Sequence, residues 1–145
     1  MQETNAMKLE FDSLSVNESF ARGAVACFAA QLDPTLDELG DIKTAVSEAV
    51  TNCIVHAYPD SIGKIQIKAK LDKGAIEISV RDWGRGIEDV EAAMRPMYTT
   101  GGSDRAGMGF TIMESFMTSL SVKSAPDKGT TVTMKRRISK RVSRR

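Results

Sequence analysis

Residues 82 to 109 constrain this chain most. The segment carries Gly84, Gly86, Gly101, Gly102, Gly107 and Gly109, and its one regular stretch is a short helical candidate at residues 88 to 94. Inside a compact domain, a segment of this length with so little regular structure is usually functional or disordered. The elements on either side must therefore supply the core. Before it, residues 64 to 71 and 75 to 81 alternate apolar and polar around Asp72-Lys73-Gly74, the spacing and turn chemistry of a β-hairpin. After it come a helix over about residues 110 to 119 and strands at 120 to 124 and 130 to 135, joined by Asp127-Lys128-Gly129.

Upstream, Met7, Leu9 and Phe11 alternate with polar residues and suit a first strand. Ser15 or Asn17 then starts a helix through about Leu32, with Phe20, Ala24, Cys27 and Phe28 as its apolar stripe and Asp33-Pro34 as its stop. A second helix begins near Thr35 or Asp37 and keeps a helical spacing at Leu39, Ile42, Val46, Ala49, Val50 and Cys53 until Tyr58-Pro59, although Gly40 weakens its start. The chain shows no internal repeat and no linker to a second domain. At 145 residues it fits one domain, expected over residues 1 to 135.

Charge and composition narrow the classes. Seven of the 20 basic residues lie in the last eleven, which leaves 13 basic against 19 acidic residues before them. Residues 136 to 145 are expected to be a flexible, solvated basic tail rather than a nucleic-acid element, because no aromatic platform accompanies the charges. No apolar run approaches the roughly 20 residues that cross a bilayer, and the first residues show no basic-then-apolar leader. Cys27 and Cys53 sit in apolar helical segments as free thiols. No membrane role is expected, and the cytoplasm is the expected compartment.

Three constellations bear chemistry. Glu48, Asn52 and His56 recur at every fourth residue of the second helix and share one face; a solvated face accounts for this, and so does a set of hard oxygen ligands with a proton acceptor. Asp82 ends a strand and precedes Gly84 and Gly86, as in an ordinary turn or in a site where a flat ligand approaches the main chain and an amino group meets a fixed carboxylate. Gly107 and Gly109 immediately precede the predicted helix at 110, which suits either a cap or an anion site built on free amides. His56 reads as a structural or pocket-edge histidine. The phosphate-loop pattern GxxxxGK[ST] is absent.

In this order the motifs resemble those of the GHKL family of ATP-binding domains, which includes gyrase and the histidine kinases. "EAVTN" is similar to its asparagine box, and "DWGRGI", "GMGF" and "GTT" to its three glycine boxes. The resemblance covers about residues 37 to 134. It implies an α+β, two-layer sandwich of the Bergerat type, with a mixed, mostly antiparallel sheet and helices on one face. It also implies ATP and Mg2+ as cofactors, with Asn52 on the magnesium, Glu48 as general base and Asp82 on the adenine amino group. Gly84, Gly86 and Ile87 would shape the adenine pocket. Thr99, Thr100, Gly107, Met108, Gly109 and Phe110 would line the phosphates beneath a lid, and Thr130 would reach the adenine through water.

Length and the strings "NESFAR", "QLDPTLDEL" and "KGTTV" resemble the stand-alone anti-sigma factor serine kinases, the sporulation type above all. That resemblance implies a homodimer that holds a sigma factor of the F type when loaded with ATP. It also implies a protein serine/threonine kinase activity toward a small anti-anti-sigma antagonist. Arg22 is carried over as a partner contact and Arg105 as a cation for the γ-phosphate. Gly101, Gly102 and Ser103 stand where the family pattern has a lysine, a proline and an acidic residue, and Ala106 replaces a serine.

Overall fold

The computed structural model describes residues 4–94 and 104–139, with side chains over 4–94 and 109–139. Five strands form one sheet: β1 (Asn5–Asp12), β2 (Lys64–Asp72), β3 (Ala75–Asp82), β4 (Ser119–Ala125) and β5 (Gly129–Arg137). Their order is β1-β2-β3-β5-β4, and every pairing is antiparallel. The family resemblance implies a mixed sheet, but among the described residues no parallel pair occurs. The helices are α1 (Val16–Ala29), α2 (Leu36–Asn52), α3 (Val90–Ala93) and α4 (Asp104–Phe116).

Alternation in the strands produces the two layers. Ile65, Ile67, Ala69 and Leu71 on β2, Ile76, Ile78 and Val80 on β3, and Val132 and Met134 on β5 are buried, while Lys68, Lys70, Glu77 and Arg81 between them are exposed. Against the buried face lie Ala21, Val25 and Ala29 of α1, Ile42, Val46 and Val50 of α2, Met113 of α4 and Met117 just after it. The central helix α2 packs on both α1 and α4. Each fully buried aliphatic side chain contributes about 1.5–3 kcal/mol of transfer free energy, so this seam sets the position of α2 and of everything it carries.

Local chemistry fixes the ends. Lys73 and Gly74 both have positive φ (52° and 77°), the two-residue turn that matches the twist of the β2–β3 hairpin. Thr35 caps α2 in a full capping box with Glu38. Ser15 is the N-cap of α1 without a side-chain cap bond; the Asn17 amide donates instead to the Asp12 carbonyl at 2.9 Å. The first helix is also shorter than its apolar stripe predicts. It gives way to a 3-10 turn at Ala30–Leu32, and Asp33 turns left-handed (φ 53°) ahead of Pro34.

Two expectations need correction. The helix predicted from residue 110 begins at Asp104, so Gly107 and Gly109 lie inside it rather than before it. Glycine weakens a helix by about 1 kcal/mol relative to alanine, and the buried side chains of Phe110, Met113 and Met117 offset that cost. Residues 136 to 139, predicted as the start of a flexible tail, belong to the fold. Arg136 and Arg137 belong to β5, Ile138 is buried, and the Ser139 amide donates to Glu38 Oε2 at 2.8 Å. An apolar residue at 138 makes those four residues part of the fold, while residues 140–145 lie outside the described residues.

Candidate functional site

After Asn52, α2 widens into a π-helical turn, Cys53–Ala57, a distortion frequent at functional sites. It brings the Ala57 carbonyl to the loop after β3, where it accepts the Arg85 amide at 3.2 Å. A Cβ on Gly84 would lie 2.3 Å from that oxygen, so residue 84 must be glycine for the two segments to touch. Gly86 has φ of 76°, and a Cβ there would meet the Ala125 carbonyl at 1.9 Å. The two glycines of "DWGRGI" thus seat their loop on the π-turn on one side and the β4–β5 connection on the other. Tyr58 adds a clamp: its hydroxyl donates to the Lys64 carbonyl and accepts the Trp83 amide, both at 2.7 Å.

Between these segments lies a cavity of about 520 Å³, within the range that holds a small cofactor. Asn52, Asp82, Gly86, Ile87, Phe110 and Thr130 line it. Asp82 is 4% exposed. Its Oδ1 accepts the Gly84 amide at 2.9 Å and the Thr130 amide at 3.2 Å, and the Cys53 thiol stands 3.5 Å from Oδ2. Burial pushes the carboxyl above the ordinary carboxylate value, and the Gly84, Cys53 and Thr130 donors pull it partly back. Burial, with the Asp82 charge, drives the Cys53 thiol far up. Cys53 is therefore a neutral donor to the carboxylate.

Sequence reasoning placed some residues in the cavity and missed others. Gly109 does not line it but lets α4 approach α2, since a Cβ there would stand 3.1 Å from Asn52 Oδ1. Glu48, 8% exposed, is also absent from the described lining. Arg22 lies away from the cavity on α1, where its guanidinium donates to Glu18, Ser47 and Ser19. Thr99 and Thr100 lie outside the described residues, as do the side chains of Arg105 and Met108. Within α4 the amides of Gly109 and Phe110 are interior helix amides, which bond four residues back, so the amides without an intrahelical partner belong to the turn that opens at Asp104. Missed by the sequence were Cys53 and Arg85 on the lining, and Ser124 behind it. His56 also lines the cavity; burial, with the Arg85 charge, lowers its imidazole below the ordinary value. Arg85 was legible as the charge inside "DWGRGI"; nothing in the sequence marks Ser124.

Comparison with known proteins decides the family. The histidine kinase-like ATPase domain matches residues 13–136. An anti-sigma F factor from Thermoanaerobacter pseudethanolicus is 60% identical over 135 residues, covering 92% of this chain and 94% of that protein. This chain belongs to the anti-sigma F factor family of histidine kinase-like ATPase domains. Another member, from Bacillus subtilis, is 52% identical over 138 residues, with 94% of each chain covered. Among solved structures, the RsbU and RsbW domains of a Mycobacterium tuberculosis protein align at a TM-score of 0.68 and 21% identity, over 92% of this chain and 32% of that one. The mycobacterial sensor histidine kinase MprB aligns at 0.57 and 16%, over 92% and 100%. At these identities the two structures speak to the fold, which is that of the GHKL domains. An ATPase domain of this family binds ATP, and the cavity around Asp82 is of a volume that admits a small cofactor.

Proposed function

We propose that this chain is an anti-sigma factor and a protein serine/threonine kinase: loaded with ATP and magnesium it holds a sporulation sigma factor of the F type, and it phosphorylates a serine of an anti-anti-sigma antagonist. It acts as a cytoplasmic homodimer of single-domain subunits. The observation that carries the reading is Asp82, a buried carboxylate on the wall of a nucleotide-sized cavity, in a chain 60% identical to proteins named anti-sigma F factor. No helix among the described residues is long and apolar enough to cross a membrane.

In this reading Asp82 accepts a hydrogen from the adenine amino group, while its amide donors keep the carboxylate in place. Gly84, Gly86 and Ile87 shape the adenine wall, and Thr130 assists through water. Asn52 supplies one hard oxygen at the cavity, which fits an ion that keeps most of its shell as phosphate and water. Magnesium, when bound, neutralises phosphate charge. Thr99, Thr100, Gly107, Met108 and Phe110 enclose the phosphates, with Arg105 on the γ-phosphate, and Gly109 seats α4 against Asn52. The antagonist's serine oxygen attacks the γ-phosphorus in line, the bond to the bridging oxygen breaks, and ADP leaves with that electron pair. Glu48 orients the hydroxyl and takes its proton; positioning and charge neutralisation supply most of the acceleration. Arg22 meets the protein partner.

A second reading is a nucleotide-gated binding switch with little phosphotransfer, favoured by Gly101, Gly102 and Ser103 in place of the lysine, proline and acidic residue of the family pattern. Incubation with γ-labelled ATP and the antagonist separates the two. Label on the antagonist that is lost in Glu48→Ala supports the kinase, and sigma retention without any label supports the switch.

A further inference from the structure

The Ser124 hydroxyl sits at a crossing of three hydrogen bonds beside the cavity. Its Oγ lies 2.8 Å from the Ile87 amide, 2.9 Å from the Gly129 carbonyl and 2.8 Å from the Thr130 hydroxyl. The first partner only donates and the second only accepts, so the single serine hydrogen goes to Gly129 and its lone pairs remain for the others. Ile87 uses one lone pair. Thr130 must therefore donate its own hydrogen to the second. The threonine hydroxyl then turns only lone pairs toward the cavity that Thr130 lines. Its neighbour Asp82 is also an acceptor there, so the two face a ligand as acceptors together. A water held between them spends both hydrogens on them and is itself an acceptor toward the ligand.

We propose that Ser124 is the positioning residue that fixes the polarity of Thr130 and so makes this wall of the cavity acceptor-only, selecting a 6-amino purine over a 6-oxo purine. Ser124 does not line the cavity; it acts through Thr130 and through the Ile87 amide. The inference rests on the ATP-site reading above. Without Ser124 the Thr130 hydroxyl is free to rotate and donate, which gives a 6-oxo group a partner and weakens the penalty against it.

The test is equilibrium binding of ATP and ITP, each with magnesium, to the full chain, to Ser124→Ala, Ser124→Thr and Thr130→Val, and to Ser124→Ala combined with Thr130→Val, with the thermal midpoint of each recorded. The expected result is that Ser124→Ala lowers the ATP-over-ITP preference by about fivefold to tenfold, the scale of one neutral hydrogen bond. Ser124→Thr, which keeps the hydroxyl, restores the preference, and Thr130→Val abolishes the effect of Ser124→Ala. Equal weakening of both nucleotides in Ser124→Ala, or an unchanged ratio, overturns the proposal. Wild-type protein that binds neither nucleotide overturns the ATP-site reading instead. If Ser124→Ala fails to fold, Ser124→Cys, whose thiol is a weak donor and acceptor, carries the same ratio test.

Discussion

At the scale of single residues, Asp82 is where sequence and geometry meet most closely. Its position at a strand end before two glycines was legible because turn chemistry is local. That its Oδ1 collects two amides, one of them 48 residues away, was not, since the second depends on how β5 lies beside β3. The raised carboxyl carries a sign. A group protonated more readily in the fold adds stability below its unfolded value that is lost as pH rises through its folded value. Asp82→Asn keeps an oxygen for both amides and removes the buried charge, so the melting temperature at pH 7 is expected to stay level or rise, while calorimetric ATP binding is lost. A melting temperature several degrees lower would contradict this. Gly84→Ala is the converse case. The Ala57 carbonyl is backbone and cannot yield, so a cost of about 1–3 kcal/mol in urea unfolding is expected.

Among the elements, α2 was the most legible, because its apolar period and the Thr35–Glu38 box are both written in consecutive residues. The π-turn after Asn52 was invisible, since it answers to the loop after β3. The start of α4 was misread for a related reason: glycines signal a break locally, but packing of Phe110, Met113 and Met117 on α2 prevails. Arg136 ties this layer to the sheet. Its guanidinium pairs with Asp41 of α2 at 2.8 Å and also donates to the Phe116 carbonyl at the end of α4. Arg136→Met leaves the half-buried Asp41 without this partner and is expected to cost about 1–3 kcal/mol by urea denaturation. A change within error would show the pair to be a surface ornament.

For the molecule as a whole, the two-layer plan was implied by the family resemblance, with which the order of periodic segments agrees, whereas its closure was not legible. Glu38 accepts both the Thr35 and Ser139 amides, joining the first turn of α2 to the end of the chain's described course. Burial raises this carboxyl, but the Thr35 and Ser139 hydrogen bonds outweigh it and hold it below the ordinary value of 4.5. A depressed acid contributes stability that is present above its unfolded value and lost as pH falls through its folded value. The acid limb of stability below about pH 4.5 should therefore be shallower in Glu38→Gln, as measured by denaturation across pH. Truncation divides at the same point: removal of residues 140–145 should leave the melting temperature unchanged, while removal from residue 136 takes Arg136 and buried Ile138 and should lower it sharply. The most direct measurement is retention of a purified sporulation sigma factor on the immobilised full chain, with and without ATP-Mg. Retention that requires the nucleotide and disappears in Asp82→Asn is the expected result. Equal retention without nucleotide, or in the Asp82→Asn chain, would contradict the account.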